Sequence, residues 1–139
     1  MNANQPIFKF VDERNVVVTQ TWNITTRAGL LTILPGFTSD GASVPDFIDG
    51  LPGFQRFNGS TIRAALAHDW FYAAEAVDRH TADEILRDIL LQDGSSQAHA
   101  DAFFAAVEAF GWSVWLKHTS ETIANARNFG ALSLLPVTT

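Results

Sequence analysis

The sequence changes its pattern once, near Ser60, and this change restricts the folds that the chain can adopt. Residues 1–34 contain short β-branched and aromatic runs that favour strands, whereas residues 60–130 repeat apolar side chains at helical spacing. The connections between the strands are too short for the helical crossovers that parallel strands require. We therefore expect an α+β fold, with a small N-terminal antiparallel sheet followed by a bundle of three to four helices.

Three segments within residues 1–34 are predicted to be strands of an antiparallel meander. They are Ile7–Val11, Val16–Trp22 and Leu30–Leu34. The last segment, residues 131–139, is predicted to be an extended tail, which Pro136 interrupts. The whole chain, residues 1–139, fits a single domain, because most domains contain about 100–150 residues.

Residues 35–59 form a long irregular segment that is rich in proline, glycine and large apolar residues. Loops of this length within a compact domain are usually functional or disordered. Phe47, Phe54 and Phe57 are unusual for a disordered linker, so we expect an ordered loop that packs on the body of the domain. This loop carries the sequence Asp40-Gly41-Ala42-Ser43.

Four helices are predicted between residues 60 and 130, and each begins at a residue type that commonly caps helices. The predicted caps are Ser60, Thr81 in a capping box with Glu84, and Ser95 or Ser96, and Ser120 is predicted to start the last helix. The corresponding helices are expected to end near residues 75, 92, 118 and 130.

The composition excludes several classes of site and partner. The chain has no cysteine, which excludes disulfides, iron–sulfur clusters, cysteine-bound zinc and a thiol nucleophile. Its net charge is −6 and its nine Lys and Arg residues form no basic run, which argues against nucleic-acid binding. No apolar stretch approaches the roughly 20 residues of a membrane span, and residues 1–6 lack a signal-peptide pattern. We therefore expect synthesis in a cytoplasm.

One candidate site lies on the first predicted helix, in Ala67-His68-Asp69-Trp70-Phe71-Tyr72. His68 and Tyr72 share a helix face because they are four residues apart. Asp83, near the start of the next helix, could accept a hydrogen bond from His68, fix its tautomer and stabilise an imidazolium. In this arrangement Asp83 would have the orienting role that carboxylates play beside a catalytic histidine. The alternative is a core histidine that the backbone or Tyr72 satisfies.

A second candidate site combines Asp40 in the loop with Asp69 on the helix. Two carboxylates with loop carbonyls would form an all-oxygen site suited to calcium or another hard divalent cation. The alternative is a simple turn, since Asp40-Gly41 is also a common turn sequence.

The combined motifs resemble a family of small proteins of unknown function that tailed bacteriophages and prophages encode. The resemblance rests on residues 35–45 (PGFTSDGASVP), residues 64–72 (AALAHDWFY) and the following Ala82-Asp83, and it covers about residues 16–115. It implies a phage origin and a small α+β fold.

The His-Asp-x-x-Tyr helix is also similar to the site of the secreted phospholipase A2 type, especially its bacterial branch. That site has an Asp-Gly loop before the helix and an aspartate on the next helix. The similarity implies that His68 activates a water and that Asp83 orients His68. It also implies that Asp69 and Asp40 bind calcium and that Tyr72 supports the network.

Two functions are therefore expected from the sequence. The first is a phage accessory or virion protein that hydrolyses a lipid ester or another cell-envelope bond. The second is a non-catalytic tail, neck or capsid-associated protein, which would bind other virion proteins or a second copy of itself. A small inhibitor of a host protein also fits the size and acidity. In each case the protein would be made in the bacterial host cytoplasm, and in the first two it could enter the virion.

Overall fold

The computed structural model describes residues 4–40 and 61–134, in which strands come first and helices follow. The predicted α+β fold is confirmed. The elements are β1 (Phe8–Phe10), β2 (Val16–Val18), β3 (Trp22–Thr26), β4 (Gly29–Ile33), β5 (Thr38–Ser39), α1 (Ile62–Ala74), α2 (Arg79–Gln92), α3 (Gln97–Phe110), α4 (Trp112–Trp115), α5 (Ser120–Arg127) and β6 (Gly130–Ser133). The predicted ordered loop from Gly41 onward and the predicted cap Ser60 lie outside the described residues.

The strands form two antiparallel sheets of three strands each, rather than one meander. Their orders are β1-β2-β5 and β3-β4-β6. The predicted single strand over residues 16–22 is wrong, because the chain passes from one sheet to the other between Val18 and Trp22. Val18 bonds to Phe37 and Gly36, whereas Trp22 pairs with Ile33 in the second sheet.

The C-terminal segment takes part in the second sheet. Residues 130–133 were expected to be the end of a helix and the start of an extended tail. They form β6 and pair with β4, with Leu132 opposite Leu31. β4 is therefore a central strand with neighbours on both sides. This pairing joins the end of the described chain to its N-terminal half, because β4 begins about one hundred residues earlier in the sequence.

The start of α2 and the end of α3 differ from the prediction. The cap of α2 is Asp78 rather than Thr81, because the Asp78 carboxylate accepts hydrogen bonds from both the amide and the hydroxyl of Thr81. The predicted continuous helix to residue 118 is also wrong, since α3 ends at Phe110 and α4 follows Gly111. Of the two serines predicted to cap α3, Ser96 is the cap.

The core is centred on α1, which packs against α2, α5 and β5. Eleven of its thirteen residues are buried. A helix that is enclosed on nearly all sides cannot show a clear polar face, and α1 has apolar residues all around its axis. The polar side chain of His68 therefore lies in the most enclosed element of the fold. Among the described residues, no helix is long and apolar enough to cross a membrane.

Candidate active site

The structure brings His68, Tyr72 and Asp83 together, and we call these three side chains the His–Tyr–Asp network. Nε2 of His68 lies 2.6 Å from Oδ1 of Asp83, and the Tyr72 hydroxyl donates to the same oxygen at 2.8 Å. The side chains of His68 and Asp83 have no solvent exposure, and Tyr72 is almost as buried. A buried carboxylate costs much free energy without partners, so these hydrogen bonds are what permits Asp83 to lie there.

The helical repeat explains how α1 supplies two members of the network. His68 and Tyr72 are four residues apart, and their rings are in contact with centroids 4.3 Å apart and planes tilted by 42°. α2 packs directly on α1 and supplies Asp83 from its second turn. An ionised carboxylate can only accept hydrogen bonds, so Nε2 of His68 carries the proton of this contact.

The surroundings of Asp83 and Tyr72 shift their pKa values in opposite directions. Burial, the largest single influence, would by itself raise the pKa of Asp83, but the interactions with His68, Glu108 and Tyr72 together outweigh it and the pKa is lowered. Burial raises the pKa of Tyr72, and the negative charge of Asp83 raises it further. The carboxylate is therefore charged and the phenol neutral around neutral pH.

A second layer of charged side chains lies behind Asp83. Nη1 of Arg79 is 3.4 Å from Oδ2 of Asp83 and donates to the carbonyl oxygen of Val107 at 3.1 Å. The same nitrogen is 3.9 Å from Oε2 of Glu108, whose other oxygen contacts Nδ1 of His80. Sequence reasoning missed Arg79, although its position four residues before Asp83 on one helix is a usable signal. Glu108 comes from α3 and gave no local signal.

Gly111 closes the network on the side of α3 and α4. A Cβ atom at this position would lie 2.3 Å from the Tyr72 hydroxyl oxygen and 2.5 Å from the carbonyl oxygen of Val107. Trp115 from α4 then packs edge-on against Tyr72, with ring centroids 5.2 Å apart. The junction between α3 and α4 therefore lies at a position where only glycine fits against Tyr72.

The two predicted cation ligands lie on neighbouring elements. Asp69 follows His68 on α1, and Asp40 follows β5, which packs against α1. Both side chains are partly exposed. Over residues 4–40 and 61–134, no group of three or more histidine, aspartate or glutamate side chains is placed to hold a metal ion. The rest of the loop that would add carbonyl ligands, from Gly41 onward, lies outside the described residues.

Comparison with known proteins identifies one family. The family described as "Protein of unknown function (DUF1353)" matches residues 16–107, about two thirds of the chain. The matched range contains the His–Tyr–Asp network, Arg79, and both Asp40 and Asp69. No curated protein and no solved structure matches the chain.

Proposed function

The chain belongs to the DUF1353 family of proteins of unknown function, and we propose that it is a hydrolase in which His68 is the general base. The observation that carries this proposal is the contact between Nε2 of His68 and the buried Asp83, which the Tyr72 hydroxyl also binds. A buried carboxylate that holds one nitrogen of an imidazole fixes the orientation of the ring and stabilises an imidazolium, which is what general-base catalysis by a histidine needs.

In this mechanism Nδ1 of His68 takes a proton from a water molecule as the water oxygen attacks the carbonyl carbon of an ester. Asp83 stabilises the imidazolium that forms and keeps the ring in place through Nε2. The imidazolium then gives its proton to the leaving alkoxide as the ester bond breaks, which yields an acid and an alcohol. Tyr72 stays neutral and donates to Asp83 throughout, since burial raises its pKa.

Asp69 and Asp40 are the residues that would hold a cation. Their chemistry fits calcium or another hard divalent cation, because both are oxygen donors on adjoining elements. Such a cation would supply positive charge close to the oxyanion that develops in ester hydrolysis. Two carboxylates are an incomplete set of ligands, so this part of the proposal requires carbonyl or water oxygens in addition.

The substrate that we propose is a lipid ester or another bond of the bacterial cell envelope. The support is the similarity of the His-Asp-x-x-Tyr motif to the phospholipase A2 site, together with the resemblance of the chain to phage and prophage proteins. A phage accessory or virion protein would meet such bonds during entry or lysis. It would be made in the host cytoplasm and would act at the envelope.

The test is an ester-hydrolysis assay of the purified full chain on vesicles that contain a fluorogenic phospholipid, with calcium or with a chelator. His68→Gln keeps an amide near Asp83 but lacks a base, so we expect its rate to fall by a factor of about 10² or more. The matched control is His99→Gln, which we expect to retain the wild-type rate because His99 lies on α3 beside Ser95 and Phe103. Absence of hydrolysis, or hydrolysis that survives in His68→Gln, would contradict the proposal.

The cation is tested separately by thermal melting with and without calcium. We expect calcium to raise the melting temperature of the wild type but not that of Asp69→Ala, because a ligand that binds only the folded state stabilises it. No calcium-dependent shift in the wild type, or an equal shift in Asp69→Ala, would remove the cation from the mechanism while leaving His68 as the base.

A second candidate function is a non-catalytic virion or assembly protein. The complete burial of His68 and Asp83 favours it, since buried polar networks also serve to fix helices in one arrangement. In this case His68→Ala lowers the melting temperature strongly and the full chain captures a specific virion protein or forms an oligomer. Hydrolysis that depends on His68, or a chain that binds none of the virion proteins and stays monomeric, would contradict it.

A further inference from the structure

The carboxylate of Asp83 is held through both of its oxygens. Oδ1 meets His68 and Tyr72 from α1, whereas Oδ2 meets Arg79 from α2. A carboxylate that is held at one oxygen can still rotate about its Cβ–Cγ bond. A second contact at Oδ2 fixes the plane of the Asp83 carboxylate. The orientation of this plane determines the direction of the hydrogen bond between Oδ1 and His68.

Arg79 itself is held between two helices. It belongs to the first turn of α2, and its Nη1 donates to the carbonyl oxygen of Val107 on α3. Next to it lies Oε2 of Glu108, a buried oxygen that has no hydrogen-bond partner among the described residues. A buried carboxylate oxygen 3.9 Å from a guanidinium nitrogen is an electrostatic anchor for that guanidinium.

We propose that Arg79 and Glu108 are positioning residues for the His–Tyr–Asp network. Arg79 fixes Oδ2 of Asp83, and Glu108 holds Arg79 against α3. The orientation of the His68 ring then depends on side chains that do not touch it. The catalytic part of this proposal rests on the proposed function, since the orientation of His68 affects a reaction rate only if the protein is a hydrolase.

The two carboxylates share one guanidinium, and this makes the arrangement sensitive to proton binding. The groups that face Glu108 are Arg79, His80 and Asp83, all from α2. Burial raises the pKa of Glu108, and the neighbouring Asp83 carboxylate raises it further, against the opposing effect of His80. An ionised Glu108 attracts Arg79, whereas a protonated Glu108 loses this attraction.

The first experiment records nitrogen-15 spectra of the histidine side chains in the full-length protein. The chain has four histidines, and His68 is assigned by the signal that His68→Gln removes. We expect Arg79→Gln to shift and broaden the His68 Nε2–H resonance and to speed its exchange with water. Arg79→Lys keeps a positive charge near Oδ2 and should restore most of the wild-type signal.

The matched control is Arg87→Gln. Arg87 also extends from α2 to α3, where it contacts Asp101 at 2.8 Å and lies over Phe104, but it does not reach Asp83. We expect the His68 resonance to stay unchanged in this variant. An unchanged resonance in Arg79→Gln, or the same change in Arg87→Gln, would overturn the positioning role of Arg79.

The second experiment tests Glu108 through the pH dependence of the melting temperature. A group whose pKa is raised by folding stabilises the fold at low pH and loses this effect as pH rises through its folded pKa. Glu108→Gln is neutral at every pH, so its melting temperature should rise relative to wild type as pH increases above the ordinary glutamate value of 4.5. A constant difference across this range would show that folding does not raise the pKa of Glu108, and a His68 Nε2–H resonance that is unchanged in Glu108→Gln would contradict its positioning role.

These readouts separate the inference from the proposed function. If the chain is a hydrolase, Arg79→Gln should lower kcat by roughly tenfold with little change in KM, which is a typical cost of losing a residue behind a site. If the wild type hydrolyses nothing but the His68 resonance responds to Arg79, the positioning role stands and the hydrolase fails. If hydrolysis depends on His68 but neither kcat nor the resonance responds to Arg79, only the positioning role fails.

Discussion

Among single residues, Asp83 holds together more of the candidate site than any other described side chain. It accepts from a histidine, a tyrosine and an arginine, and it does so with no exposure to solvent. The donors hold its pKa below the ordinary value although burial opposes them. A buried charge that is compensated in this way makes the stability of the fold depend on pH.

Asp83→Asn should reveal this dependence. Because the folded pKa is lowered, the contribution of Asp83 is present above its ordinary value of 3.8 and is lost as pH falls through the folded value. We expect Asp83→Asn to lose about 2–4 kcal/mol of unfolding free energy at neutral pH and much less in acid. Urea unfolding around pH 7 and about pH 3 measures both values.

The matched control for this prediction is Asp101→Asn on α3. Asp101 is half-exposed and contacts Arg87 and Gln97, so its removal should cost less than about 1 kcal/mol at either pH. An Asp83→Asn variant with the same loss at both pH values would show that the charge of Asp83 contributes nothing to the fold.

For single residues, the sequence predicts which side chains lie near each other better than it predicts how deeply they are buried. The i, i+4 spacing of His68 and Tyr72 and the place of Asp83 on the next helix are enough to expect the three side chains together. Their complete burial was not predictable, because α1 becomes enclosed only when α2, α5 and β5 pack on it. Glu108 was not predictable for the same reason, since its neighbours come from another helix.

At the level of elements, the junction between α3 and α4 contacts another helix. The apolar repeat Phe103, Val107, Phe110 and Val114 predicts one continuous helix. The helix instead breaks at Gly111, where the Tyr72 hydroxyl occupies the space in which a side chain would lie. The repeat carries no information about a neighbour on α1, so the need for glycine at this position could not be read from local sequence.

Gly111→Ala should therefore destabilise the fold through Tyr72. We expect a loss of about 1–3 kcal/mol, since a Cβ atom 2.3 Å from an oxygen forces the surroundings to move. In a Tyr72→Phe background the hydroxyl is absent and the loss should shrink, which a double-mutant cycle of urea unfolding measures.

Gly94→Ala is the matched control for this cycle. Gly94 has a φ of +97°, and a Cβ atom there would have no heavy atom within 4 Å, so its substitution costs only backbone strain, about 1–2 kcal/mol. That cost should be the same in both backgrounds. An equal cost for Gly111→Ala with and without the Tyr72 hydroxyl would show that the hydroxyl is not what excludes a side chain at residue 111.

Other element boundaries depend on competition between local signals. Thr81 and Glu84 form a capping-box pattern, but Asp78 lies three residues before Thr81 and caps the same helix one turn earlier. Residues 16–22 read as one strand because β-branched and aromatic residues continue across the sheet boundary, from Val16 to Trp22. The strand-favouring composition therefore continues while the pairing partner changes.

Across the whole molecule, β6 determines how the two halves of the chain are joined. It follows α5 and pairs with β4, whose other neighbour is β3. Gly130 allows the close approach of β6 to α1, because a Cβ atom there would lie 2.4 Å from Nε1 of Trp70. The sequence predicts the extended conformation of this segment, but its partner is a strand about one hundred residues away and was not predictable from local pattern.

Removal of β6 should expose β4 as an edge strand. We expect a chain that ends at Phe129 to lose about 2–4 kcal/mol of unfolding free energy, because four residue pairs and their hydrogen bonds with β4 disappear. The new edge carries alternating buried residues, Leu31 and Ile33 among them, and an unpaired edge of this kind promotes association. Urea unfolding and size-exclusion chromatography measure the two effects.

A chain that ends at Leu134 keeps β6 and should match the full chain in both, so equal behaviour of the two truncations would contradict a stabilising role for β6.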